Sequence, residues 1–391
     1  MEIDFITDQC EPRGNGMGNG NTYMSRVVHT RDGVFTALLL PGGKTGDKRW
    51  QLAWRREDRW VRDPAWQGGS FVEPPNVLAG RDGTIYVIAW PAGRLTIWSG
   101  KPENGTLTLK HGPVTGMPPN NWPYCVAGID AEDNIVITSS DNELAPSGYH
   151  FARRDGNTGR WTVHRMELDT RHCNGFVFPK GAGMTLVGVV DVLWEVLGYR
   201  KPEGCRHDYI WGSWVLWRTD ALAESAPREI AARRVAQRDG EFCQCMAQDA
   251  LIDSRGVTHI VYGVWDTTTG GNPEFRHVAV TSQGKQLYDV DLPTHTVEDH
   301  CWTGYRMFED QWQRLWLIHR DGLLYRVGPD GNTAGGPEKL DLDGKVMWFG
   351  WAVAAPRGGT PPSDGVDVIF PARSDSVPWY HARIRVPEPS H

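Results

Sequence analysis

A short turn followed at once by a β-strand recurs along the whole chain, and this repeat limits what the chain can fold into. Its clearest copy is Arg81-Asp82-Gly83-Thr84-Ile85-Tyr86-Val87-Ile88. The Asp-Gly pair supplies the positive-φ corner of a hairpin, and the run behind it alternates as a half-buried strand does. The pattern returns at Asp32-Gly33-Val34-Phe35, Asp133-Asn134-Ile135-Val136, Gly183-Met184-Thr185-Leu186 and Gly256-Val257-Thr258-His259. Weaker copies stand at Gln313-Arg314-Leu315-Trp316 and Asp364-Gly365-Val366-Asp367. With Gly33, Gly83, Asn134, Gly183, Gly256, Gln313 and Gly365 as markers, the period is about 50 residues with one long step after Gly183. Seven such units nearly consume the 391 residues.

A repeat of this length made only of strands reads as a propeller blade, a small sheet that cannot bury both faces until neighbours stack on it. A third strand is visible in every unit, at Trp50–Arg55, Arg94–Trp98, Tyr149–Arg153, Trp214–Arg218, Phe275–Ala279, Leu323–Arg326 and Trp379–Arg383. Several are followed by a polar turn and an outer strand, as in Asn157-Thr158-Gly159-Arg160-Trp161-Thr162-Val163. The expected fold is therefore all-β, a seven-bladed β-propeller of four-stranded antiparallel blades. Residues 1–391 form one domain in this reading, with residues 1–10 supplying an outer strand that closes the ring against the last blade. Blade four carries an insertion over about 191–240. Its first part, Trp194 to Tyr209, is rich in Trp, Tyr, Arg and His; its second, Asp220 to Gln237, reads as a short helix or an outer loop. Loops of this length inside a compact repeat protein are usually functional or disordered.

Composition narrows the partners. A net charge of −7 argues against a nucleic-acid partner, which selects for a basic face. No apolar run approaches the roughly 20 residues a membrane helix needs. The Gly14 to Gly20 cluster lacks the Lys-Ser/Thr and the helix of a phosphate loop, so it reads as a lead into the first blade. The start Met1-Glu2-Ile3-Asp4-Phe5 has no basic-then-apolar signal pattern, and seven cysteines do not form a disulfide framework. The expectation is a monomer in a reducing compartment, or a secreted protein if a leader has been removed.

In a propeller the residues that lead into the inner strands gather at one mouth of the central channel. Counting back about ten to thirteen residues from each marker gathers Asn21 and Tyr23, Phe71 and Glu73, Trp122 and Tyr124, Arg171-His172-Cys173 with Asn174, Cys243-Gln244-Cys245, and His300-Cys301-Trp302. Two chemistries fit this set. In β-elimination of a uronate-containing polysaccharide, Arg171 or Arg206 neutralises the carboxylate while His172, His207 or His300, with Tyr124 or Tyr209, serve as base and acid. Glycoside hydrolysis requires a carboxylate pair, and Glu73 with Asp208 or Asp249 is the thinner set. The balance tilts toward elimination, with Arg171, Glu73, Asn174, Trp122, Trp211 and Trp302 binding the sugar chain. In Arg206-His207-Asp208-Tyr209, strand alternation puts His207 and Tyr209 on one face; a polar turn into an edge strand is the alternative.

Cys243 and Cys245, with Cys173 and Cys301 at the same level of other blades, resemble a cluster that would hold a structural zinc across the channel. Buried thiols that simply pack are the other reading. No cofactor is required for the chemistry itself. Among the 19 tryptophans, third-strand Trp54, Trp98 and Trp217 read as blade packing, whereas Trp122, Trp211 and Trp302 read as sugar platforms.

The repeats resemble the BNR-type, sialidase-like propellers, in the Asp-Gly turn between strands one and two and in third strands such as Trp50-Gln51-Leu52-Ala53-Trp54-Arg55 and the stretch 149–161. The Ser-x-Asp-x-Gly-x-x-Trp boxes of true sialidases are absent from this sequence, which points away from sialic acid. The closer likeness is to seven-bladed polysaccharide lyases and rhamnosyl-glucuronate-acting enzymes, whose sites use His, Tyr and Arg and some of which hold a structural zinc. That resemblance implies a lyase acting on an oligo- or polysaccharide. A hydrolase of the sialidase-like superfamily and a non-catalytic glycan-binding propeller are the alternatives, because fold alone does not choose among them.

Overall fold

The computed structural model describes residues 3–10, 23–44, 47–70, 73–203, 205, 208–235, 243–266, 274–294, 304–348, 350–372 and 378–389. Seven small antiparallel sheets form a ring, each a meander that runs from the channel outward. The inner strands are Val27–Thr30, Asn76–Ala79, Val126–Ile129, His172–Lys180, Cys243–Ile252, Tyr305–Glu309 and Ala352–Val353. The second strands begin at Gly33, Ile85, Ile135, Gly183, Thr258, Leu315 and Gly365, at or just after the marker turns. All seven third strands stand where the sequence placed them. Ile3–Thr7 is the outer strand of blade seven, paired with Trp379–Arg385, so the two ends of the chain close the ring.

The marker turns of blades three, five and six share one mechanism. Asp130, Asp253 and Asp310 each use Oδ1 to accept the backbone N–H groups two and four residues on: Glu132 and Asn134, Arg255 and Val257, Trp312 and Arg314. The carboxylate thus satisfies donors that a tight corner leaves exposed. The corner residue has positive φ, 90° at Gly83, 63° at Asp133, 80° at Gly256 and 61° at Gln313.

Hydrophobic contact fills all seven seams between blades. Trp50, Trp54 and Trp98 join blades one and two, and Leu78, Ile88 and Ile137 join two and three. A large cluster around Phe176, Leu186, Trp217 and Tyr262 joins three, four and five. Val261 and Tyr305 join five and six, and Trp316 and Trp351 join six and seven. Ile6, Val27 and Trp379 close seven onto one. Third-strand Trp54, Trp98 and Trp217 are buried packing residues, as expected.

Blade four departs from expectation in detail. The insertion follows the second strand and is held by a two-residue ladder of Val192–Leu193 against Tyr209–Ile210 and a 3-10 turn, Trp194–Leu197. Its small core of Val192, Trp194 and Ile210 packs against Leu144 and Trp265 of the flanking blades. The second stretch is neither helix nor loop throughout, because Arg228–Arg234 is the outer strand of the blade. Trp211 precedes the third strand, which is Ser213–Thr219.

The hub is filled from blade seven. There the turn between strands one and two is lengthened to include a 3-10 turn, Pro356–Gly358, which packs against the inner strands of blades two, three and four. Arg357 reaches from it to the carbonyls of Tyr23 and Met24, at 2.9 and 3.4 Å.

Candidate active site at the channel mouth

Because the strands of a meander alternate in direction, the start of strand one and the end of strand two open on the same face of the ring. Blade four places Arg171 just before its inner strand and Asp191 just after its second strand. Arg171 Nη2 donates to Asp191 Oδ2 at 2.8 Å and Nε donates to the Asp191 carbonyl at 3.0 Å. The Asp191 N–H returns a bond to the Arg171 carbonyl at 3.0 Å. Strand alternation puts Cys173 on the same face, and its thiol donates to Asp191 Oδ2 at 2.8 Å. Burial pushes the Asp191 carboxyl above the usual carboxylate range, against the opposing pull of Arg171.

The Arg171 guanidinium lies over two tyrosine rings, 5.3 Å from the Tyr124 centroid and 5.1 Å from that of Tyr209. Such a stack stabilises the cation while leaving its in-plane N–H groups available. With Nε and Nη2 committed to Asp191, Nη1 has no hydrogen-bond partner among the described residues. Burial pushes the Tyr124 hydroxyl well above its ordinary value, with the Asp191 charge adding to the shift, so it is held as a neutral donor. Tyr124 itself has a φ of 44°, a left-handed corner that an ordinary side chain adopts only at a cost.

Blades one and two complete this side of the mouth. Glu73 is buried; its Oε1 accepts from the Tyr23 hydroxyl at 3.4 Å and its Oε2 from the Cys125 N–H at 3.0 Å. Asn76 ties the inner strands together, accepting from the Ser25 N–H and donating to the Cys125 carbonyl. Ser70, Glu73, Trp90 and Cys125 line a crevice that runs beside the carboxylate. Trp122, more than a third exposed, stands at the approach to blade three.

The ring therefore brings Arg171, Tyr124, Tyr209, Glu73 and Tyr23 to one place, as the sequence predicts, and adds Asp191. His172 takes another direction. Alternation turns its ring onto the face of the sheet, edge-on to Trp217 at 5.0 Å, where Nδ1–H donates to the Thr170 carbonyl at 2.9 Å. Burial lowers it to about 4. Trp211 is half-buried against the core of blades three to five, and its carbonyl accepts from the Cys245 N–H. Asp208 pairs with Lys201 at an exposed position, and Asp249 is buried in the hub, so neither joins Glu73. Arg206, His207, His300, Cys301, Trp302, Asn21 and Phe71, and the side chain of Asn174, lie outside the described residues.

The expected zinc cluster is not assembled by the described residues, among which no three His, Cys, Asp or Glu side chains gather as metal ligands. Cys173 is engaged with Asp191, and burial together with that charge favours its protonated thiol. Cys243 and Cys245 are fully buried in the inner strand of blade five, where burial pushes Cys245 up to about 12.

Asp191 escapes the sequence reading because it follows strand two and does not lead into strand one. Counting forward from the turn to the end of strand two reaches the same face and would have found it.

No protein-family model and no curated protein matches the chain. Among solved structures, the chain is similar to the polysaccharide lyase Uly1, with a TM-score of 0.59 over 98% of this chain and 99% of that one at 8% identity. It is also similar to an alpha-L-arabinanase from Penicillium chrysogenum complexed with arabinobiose, with a TM-score of 0.50 over 80% of this chain and 92% of that one at 9% identity. At such identities the likeness is one of fold, and at that level the expected resemblance to propeller polysaccharide lyases is borne out.

Proposed function

We propose that the mouth is the active site of a carbohydrate-active enzyme that cleaves a uronate-containing glycan by β-elimination. The observation that carries this reading is the unspent Nη1 of Arg171, on a guanidinium that lies over two tyrosine rings. Pairing of a uronate carboxylate with that N–H would acidify the neighbouring C–H proton. Tyr209 on the insertion enters the step as its phenolate and takes that proton, the electron pair of the broken C–H bond forms the double bond as the C–O bond breaks, and Tyr124, held neutral, donates its proton to the departing glycosidic oxygen. Asp191 orients the guanidinium without touching substrate, and the Tyr23–Glu73 pair extends the same wall. Exposed Trp122 offers a face for a sugar ring at the approach. The fold neighbours named for a polysaccharide lyase and an arabinanase are consistent with a saccharide substrate.

One observation favours a second reading. Glu73 and Asp191 are two buried carboxyls at one mouth, and such a pair is what glycoside hydrolysis uses. Incubation with a panel of uronate-containing glycans separates the readings. Elimination leaves an unsaturated uronate that absorbs in the near ultraviolet, whereas saturated fragments from every active glycan would replace the lyase by a hydrolase, and bound but intact glycan by a lectin.

A further inference from the structure

The hub beneath the mouth contains three charged groups that do not pair with one another. Arg306, on the inner strand of blade six, is 1% exposed; Arg357, on the 3-10 turn of blade seven, is 8% exposed; Asp249, on the inner strand of blade five, is 4% exposed. The register of this strand shifts between Ala247 and Asp249, and across to blade six Asp249 Oδ2 accepts from the Met307 N–H at 2.7 Å and Gln248 Oε1 from the Tyr305 N–H at 2.9 Å. Arg306 Nη1 donates to the carbonyls of Gln248 and Tyr305, at 2.9 and 2.7 Å. Asp249 feels the charge of both arginines, yet among the described residues neither guanidinium comes within ion-pair distance of a carboxylate.

What remains unmet is specific. Arg306 Nε and Nη2 and Arg357 Nε are buried donors with no acceptor among the described residues. Trp351 lies under the Arg306 guanidinium at 5.0 Å and Phe176 under that of Arg357 at 5.1 Å. A ring face eases the charge of a cation but offers no strong acceptor to its in-plane N–H groups. Buried charge is tolerated when it is both paired and hydrogen-bonded, and a buried donor without a partner ordinarily marks a bound water or ion. Two cations against one carboxylate leave a positive excess, which water does not neutralise.

We propose that the hub binds one small inorganic anion, of halide size, held by Arg306 Nε and Nη2 and by Arg357 Nε. The ion supplies the negative charge that Asp249 alone does not. It also fixes Arg357, whose other donors hold the Tyr23–Met24 carbonyls, so it braces the floor of the mouth without entering the chemistry there.

The test is crystallographic and independent of any glycan. The whole protein is exchanged into sodium bromide and crystallised, and diffraction is recorded at the bromine absorption edge. The proposal expects an anomalous peak within hydrogen-bond reach of both guanidinium groups, and its loss in R306M. No peak at that position, density explained by water alone, or peaks at the surface only, as from an adventitious ion only, would overturn it. A peak that persists unchanged in R306M would remove Arg306 from the site. Should R306M not fold, the wild-type crystal decides.

Discussion

Arg171 and Asp191 hold one another by three hydrogen bonds, side chain to side chain, side chain to carbonyl and backbone to backbone, across the first two strands of blade four. The pair is buried, so the guanidinium keeps its orientation over Tyr124 and Tyr209 at the expense of a solvated partner. Asp191→Asn preserves the shape and removes the charge. Breaking one side of a buried pair costs about 3–5 kcal/mol, and urea unfolding is expected to show a loss of that order.

The roles at the mouth predict a contrast between the two tyrosines and the histidine. Tyr124→Phe and Tyr209→Phe each lower turnover on the responsive glycan by about 10²–10⁴-fold, the usual contribution of a positioned acid or base. His172→Gln, altering a ring packed on Trp217, lowers it by less than about tenfold per folded molecule. Turnover normalised to circular dichroism checks both statements. A large loss in the histidine variant with no loss in the tyrosine variants would reverse the assignment.

Ring closure rests on the outer strand of blade seven. Ile6 is 4% exposed and packs with Val27 and Trp379, whereas Phe5, one residue earlier, points outward at 53% exposure. Ile6→Ala costs about 2–5 kcal/mol. Phe5→Ala costs about 0.5 kcal/mol, as surface changes do. Chemical denaturation of the two variants provides the comparison.

Histidines shape the dependence of stability on pH, with opposite signs. His172 and His277 are held by burial at about 4 and about 3, below the unfolded value of about 6.5. Their contribution is full above about pH 6.5 and is lost as pH falls from there toward those folded values. His381 has the other sense. Burial alone would lower it, but the hydrogen bonds and charge of Asp367 and Asp4 raise it, and Nε2 donates to Asp367 Oδ1 at 2.8 Å. That contribution is full below about pH 6.5 and fades as pH rises through the raised folded value. Unfolding free energies across this range should lose part of their acid slope, by about one proton each, in His172→Gln and His277→Gln, and part of their alkaline slope in His381→Gln. Unchanged slopes would contradict the placements.

The architecture was legible because its signals are local. A turn signal such as Asp82-Gly83 stands at the corner itself. In blades three, five and six an Asp three residues before the corner closes the turn with its own carboxylate, as Asp130 and Asp253 do, and the strand follows immediately. The mouth was legible only in part. Counting back from the turns found Glu73, Tyr124 and Arg171, since these precede strands of regular length. It could not tell that alternation turns His172 aside and Arg171 inward, because that depends on which residue first enters the ladder. Arg357 carried no local signal at all: it reaches the hub only because one turn in seven was lengthened and folded into the channel.

The account stands most directly on how the glycosidic bond is broken. Cleavage of the responsive uronate glycan in heavy-oxygen water, followed by mass spectrometry of the fragments, reads this in one step. Elimination takes no oxygen from solvent, so the fragments are predicted to carry no label and to sum to the mass of the intact chain. Fragments that gain one labelled oxygen at each break would show hydrolysis and would contradict the assignment of Arg171, Tyr124 and Tyr209 to a lyase.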